Sequence, residues 1–123
     1  MARLFLLLAA FSGFSSVALG AFAAHGLRQQ LSAEYLAVFQ TGVQYQQLHT
    51  LALLAVALLL QRQACRLLTL SGGFFVAGML LFSGSLYALT LTGIGKLGII
   101  TPFGGVAFLL GWLLLGLSAW RQR

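Results

Sequence analysis

Tyr45 and His49 lie four residues apart, a spacing that puts a phenol and an imidazole on one face of a helix. Histidine exchanges protons near neutral pH, so the pair is a candidate for proton or small-solute passage. Carrying that face back through Thr41 and Val38 reaches Glu34, the one acidic side chain of the sequence. His25, Ser83, Ser85, Tyr87 and Thr101 are the other polar side chains that could gather around them. Catalytic sets are poorly supplied. Without Asp, and with a single Glu, there is no carboxylate pair for acid/base work and no Ser-His-Asp triad. Phe82-Ser83-Gly84-Ser85-Leu86 offers a serine to His49 but no oxyanion-hole signature. Two histidines and one Glu are the minimum for a zinc site, and Glu34 is expected to stand above the membrane. The expectation is therefore a protein that is not an enzyme and holds neither metal nor cofactor. The lone Cys65 rules out an internal disulfide.

Those side chains must be positioned by apolar helices. Of the 123 residues 60% are hydrophobic and only 7% charged, where a soluble domain carries roughly a quarter charged. Spans of about 20 apolar residues are needed to cross a hydrocarbon core of about 30 Å. Four are predicted, at residues 4–24, 42–61, 67–91 and 103–120, giving an all-α polytopic membrane protein folded as a compact bundle of four transmembrane helices. The second is the least regular, because it absorbs Gln44, Gln46, Gln47 and His49, which should face the bundle or lie at headgroup level. An alternative has three spans, with the second stretch lying flat. The N-terminus also carries a signal-peptide-like pattern, with Arg3, an apolar Leu4–Phe11 and a possible cleavage site at Ala21-Phe22-Ala23.

The cations sit at the ends of the apolar stretches and never cluster, which argues against nucleic acid as a partner. With both termini cytoplasmic, the inner side holds Arg3, Arg62, Arg66, Arg121 and Arg123, and the outer side Arg28 and Lys96. The three-span arrangement scores the same. Arg3 at the start of the first helix favours four spans with both termini inside. All the candidate polar residues then fall on the outer half, and His25, Tyr45, His49, Ser83, Ser85 and Tyr87 are expected to form one outer-facing pocket.

Ser32 and Glu34 read as a helix N-cap and a first-turn acid, and the helical pattern runs from Ala33 to Leu60. That length exceeds the hydrocarbon core, so the helix should project beyond the outer surface or bend near Gly42. Leu27, Leu31, Tyr35 and Val38 follow helical spacing and are expected along the membrane surface. His25, followed by Gly26, also reads as a helix cap. Gly93, Gly95 and Gly98 match GxGxxG but follow an apolar helix with no βαβ unit, so a turn is expected. Pro102 suits the start of the fourth helix.

Helices in lipid meet where small residues let backbones approach. Ser12, Ser16, Gly20 and Ala24 form a ridge at four-residue spacing on the first span. Gly73 with Ala77, Gly84 with Ala88, and Ala107 with Gly111 do so on the third and fourth.

Four segments carry a resemblance. Gly20-Ala21-Phe22-Ala23-Ala24-His25-Gly26-Leu27, Phe39-Gln40-Thr41-Gly42-Val43-Gln44-Tyr45-Gln46-Gln47-Leu48-His49, Phe82-Ser83-Gly84-Ser85-Leu86-Tyr87 and Thr101-Pro102-Phe103-Gly104-Gly105 resemble the YgdD/YwdK family of small bacterial inner-membrane proteins of unknown function. Ala23 and Gly42 depart from the usual pattern by small-for-small exchanges. The resemblance implies a multi-span protein of the bacterial inner membrane and supplies no substrate, reaction or cofactor. Besides the lipid bilayer, the expected partner is another membrane protein or further copies of the chain. The leading expectation is an accessory or interaction subunit. The alternatives are a solute or proton pathway using Tyr45 and His49, and a lipid or quinone headgroup site near Arg28 or Lys96.

Overall fold

The computed structural model describes residues 1–122, so Arg123, counted above among the inner cations, lies outside the described residues. The helices are α1 (Ala2–His25), α2 (Ala33–Arg62), α3 (Arg66–Gly78), α4 (Gly84–Thr92) and α5 (Thr101–Arg121). A π-helical turn, Met79–Ser83, joins α3 to α4 into one span, and 3₁₀ turns at Leu27–Gln29 and Gly95–Ile99 occupy the two connections at one end. Four helical stretches are long and apolar enough to cross a membrane. The molecule is an all-helical, four-span membrane bundle. Its termini end carries Arg3, Arg62, Arg66 and Arg121. The far end carries the α1–α2 and α4–α5 connections.

Local signals set the helix boundaries. Ser32 is extended (φ −61°, ψ 159°) and its hydroxyl accepts from the Tyr35 amide at 3.1 Å, capping α2. Gly93 ends α4 in the left-handed region at φ 75°, and Pro102 opens α5. The Gly95–Ile99 segment is an exposed 3₁₀ turn between two helices, with no strand beside it among the described residues. Gly26 is right-handed at φ −74° and gives α1 no left-handed cap. Its lack of a side chain serves the Phe22 ring, 2.7 Å from where a Cβ would stand.

At about 1.5 Å per residue the 30 residues of α2 extend about 45 Å, some 15 Å more than the hydrocarbon core. The helix runs unbroken through Gly42, and its extra turns carry packed side chains. Phe39 and Val43 pack with Ala23 and Leu27 into a small core at the far end, bordered by Leu31, Leu36 and Tyr87. Leu27 lies in the 3₁₀ turn and Leu31 in the connection, so they share no helical face with Tyr35 and Val38. Gly42 instead admits the Tyr87 ring, 2.8 Å from a Cβ position there.

A larger core fills the termini half: Phe5, Ala9, Leu53, Val56, Ala57, Leu68, Phe75 and Phe108. The glycines that matter here face aromatic rings. Gly72 receives Phe5, Gly78 receives Phe108, and Gly111 receives Phe75, while Gly104 lies against the Phe82 backbone. This corrects the expected ridges. Ala107 and Gly111 are buried, but Gly73 and Gly84 meet nothing within 4 Å of a Cβ position, and Ala88 is only half-buried. On α1, Ser16 is buried, Ser12 and Gly20 are part-buried against α2, and Ala24 is exposed. Contact with α2 continues through Ala23, because 3.6 residues per turn carries a strict four-residue ridge steadily off the interface.

Candidate functional site

The single polar pocket expected at the far end is divided into three places. The first is built by α1, α2 and α4 around Gln46, whose side chain is buried. Tyr87 Oη donates to Gln46 Oε1 at 2.6 Å. Gln46 Nε2 donates to the Ser12 carbonyl and to Ser15 Oγ, both at 3.0 Å, with Ser12 Oγ at 3.2 Å. Ser12 Oγ and Thr50 Oγ1 are 2.6 Å apart, and Thr50 Oγ1 donates to the Gln46 carbonyl at 2.7 Å. Met79 Sδ lies 3.5 Å from Ser12 Oγ. Nearby, Ser83 Oγ donates to the Gly42 carbonyl at 2.7 Å, fastening the π turn to α2.

This network forms the floor of a lateral cleft of about 340 Å³ between α1 and the third span. Its walls are apolar, among them Leu8, Phe11, Leu19, Val76 and Leu80, and Gly84 leaves one side open. Ser12 is nine residues beyond Arg3, about 14 Å along the helix and hence near the middle of a core of about 30 Å. The cleft thus opens at the depth of lipid tails.

The second place holds His49, 2% exposed. Its ring stacks on Phe108 with centroids 3.5 Å apart and planes 7° from parallel, and Phe75, Trp112 and Tyr45 surround it. Trp112 Nε1 can only donate, and it reaches His49 Nε2 at 3.0 Å. Nε2 is therefore the acceptor. The proton sits on Nδ1 and is donated to the Tyr45 carbonyl at 2.8 Å. The neutral imidazole has both nitrogens engaged. Tyr45 shares the face as the spacing predicts, but its partly exposed ring packs on Phe82 (centroids 4.5 Å apart) while only its backbone bonds His49.

The third place is the α4–α5 contact, where Ser85 Oγ and Thr101 Oγ1 lie 2.6 Å apart. His25 joins none of the three. It is exposed at the end of α1, because the buried face there belongs to Ala23. Glu34 lines a separate shallow hollow with Tyr35, Gly98 and Pro102, and no three of His, Cys, Asp and Glu come together among the described residues.

The family described as "Protein of unknown function (DUF423)" matches residues 19–105, which include all four segments quoted above. The chain is 45% identical over 121 residues to the UPF0382 inner membrane protein YgdD of Escherichia coli K12, covering 98% of this chain and 92% of that one. It is 44% identical to the UPF0382 membrane protein YwdK of Bacillus subtilis, covering 95% and 96%. A UPF0382 membrane protein of Haemophilus influenzae is 46% identical, covering 100% and 98%. The chain belongs to this family. No solved structure matches it. Like YgdD, this UPF0382 member is a multi-pass protein of the inner membrane.

Sequence reasoning about this UPF0382 chain singled out Gln46 only as a group to be hidden, and it passed over Ser15, Thr50 and Trp112. The usable signal was Gln46 four residues before Thr50, a polar pair on one face of an otherwise apolar helix.

Proposed function

We propose that the protein is a non-enzymatic accessory subunit of the inner membrane that holds an uncharged, lipid-phase molecule, such as an acyl or isoprenoid chain with a small polar group, in the cleft over Gln46. The cleft carries this reading: apolar walls, a polar floor at mid-depth, and an opening toward the lipid. Headgroups lie at the membrane surface, so a mid-depth site suits the tail region of a lipid or a quinone better than a phosphate near Arg28 or Lys96. A proton path through His49 is less well supported, since both ring nitrogens are already committed. The same commitment supports a non-catalytic role. In this reading both termini face the cytoplasm, which Arg3, Arg62, Arg66 and Arg121 at one end against Arg28 and Lys96 at the other support.

Gly84→Leu tests the reading. The position is open, so leucine fills the cleft without a clash and removes a helix-weakening glycine. Native mass spectrometry of protein released gently from its own membrane should show a reproducible small adduct on the wild type. The variant should lose it while unfolding at the same temperature or higher. A wild type without an adduct, or a variant that retains it, rejects the cleft as the site.

A further inference from the structure

Gln40, Gln44 and Gln47 occupy positions i, i+4 and i+7 of α2, and all three are exposed. This face is turned away from the one that buries Gln46, Thr50 and Leu53. Among the described residues no side-chain hydrogen bond reaches any of the three amides, in contrast to the neighbouring Gln46. Gln47 adjoins Gln46, which bonds Ser12 near mid-depth, and Gln44 lies about 5 Å further out along the helix, so both fall within the hydrocarbon core of about 30 Å. Gln40, one turn further out, approaches the edge of that core. Carboxamides facing hydrocarbon without partners are strongly disfavoured, so the stripe calls for a protein surface.

We propose that the stripe is the seam of a parallel homodimer, in which Gln44 and Gln47 hydrogen-bond the same residues of a second copy. Three arguments favour a second copy over another partner. A carboxamide both donates and accepts, so each glutamine can serve as its own partner. Copies inserted with the same orientation and related by a two-fold axis along the membrane normal bring identical residues together at identical depth. The stripe also carries no charge that would select a charged partner. Ala37 and Leu51, both exposed on the same side, extend the face by a turn in each direction. The stripe and the lateral cleft lie on different faces of the molecule, so the dimer stands or falls independently of a bound lipid.

The test uses full-length protein with Cys65→Ser. Single cysteines are introduced as Gln44→Cys or Gln47→Cys, with Leu109→Cys on exposed α5 as the control. Oxidation in native membranes should link Gln44→Cys and Gln47→Cys into dimers and leave Leu109→Cys at least tenfold less linked. These side chains touch no core, so folding is retained. In parallel, the Gln44→Leu/Gln47→Leu variant should shift from dimer to single-chain mass, with the dimer fraction falling about tenfold. Absence of links at both glutamine positions overturns the proposal. So do equal linking at Leu109→Cys, links to a different protein, or a dimer that survives the double leucine variant.

Discussion

The α1–α2 contact and the contact of the third span with α5 join membrane-spanning helices by different means. Between α1 and α2, side chains bond across the gap: Ser12 to Thr50, and Gln46 to Ser12 and Ser15. Between the third span and α5, rings settle on glycines: Phe108 on Gly78 and Phe75 on Gly111, with Gly104 against the Phe82 backbone. Among the described residues two side-chain bonds cross there, one at each end: Ser71 to the Gly111 carbonyl at 2.7 Å, and Ser85 with Thr101 at 2.6 Å. Lipid removes the hydrophobic drive between helices, leaving dispersion and polar contacts to do the joining. Dispersion depends on a close fit over many atoms, so the ring contact should tolerate no added volume. Hydrogen bonds are few and separable, so the bonded contact should lose stability in small steps.

The largest effect is expected at Gly104→Ala. The new methyl meets the Phe82 backbone, which has no rotamer by which to withdraw. Overpacking of this kind costs about 3 kcal/mol, and denaturant unfolding in mild detergent should show it as a midpoint shift. A loss below about 1 kcal/mol would show that the α3–α5 contact yields more readily than its geometry implies. Gln46→Leu should come next. It orphans the Tyr87 hydroxyl and removes the bonds from Gln46 to the Ser12 carbonyl and Ser15 Oγ, at a cost of about 1–2 kcal/mol in the same assay. The smallest effect belongs to the Ser12–Thr50 pair. A double-mutant cycle with Ser12→Ala and Thr50→Val should return a coupling of about 0.6 kcal/mol, typical of side-chain bonds between membrane helices. Coupling above about 2 kcal/mol would place the bonded contact on a par with the ring contact and erase the distinction.

Four spans, the Ser32 cap, Pro102 at the start of α5 and the family were all legible in the sequence, because each rests on local composition or a contiguous motif. Partners across helices were not. Ser12 reads in the sequence as a small residue, yet it acts through its hydroxyl. The roles of Gly72, Gly78 and Gly104 are not legible, because each is matched to a ring or a backbone on another helix, and no spacing rule along one helix encodes that match. His49 was correctly placed on a face with Tyr45. Its neutral, fully bonded state depends on Trp112, which comes 63 residues later. The π turn at Met79–Ser83 left no mark in the apolar run that contains it.

That turn makes the third span two instruments on one shaft. An extra residue in a helical turn swings everything beyond it by about 100° around the axis. Gly78 can therefore look toward Phe108 on α5 while Ser83 and Tyr87 look toward α2. The two halves are clocked separately, so α3 is seated on α5 while Ser83 and Tyr87 turn to α2 and α4 still reaches Thr101 through Ser85. Deleting a single residue between Met79 and Ser83 would take that swing away, leaving α3 seated on α5 or α4 turned to α2 but not both.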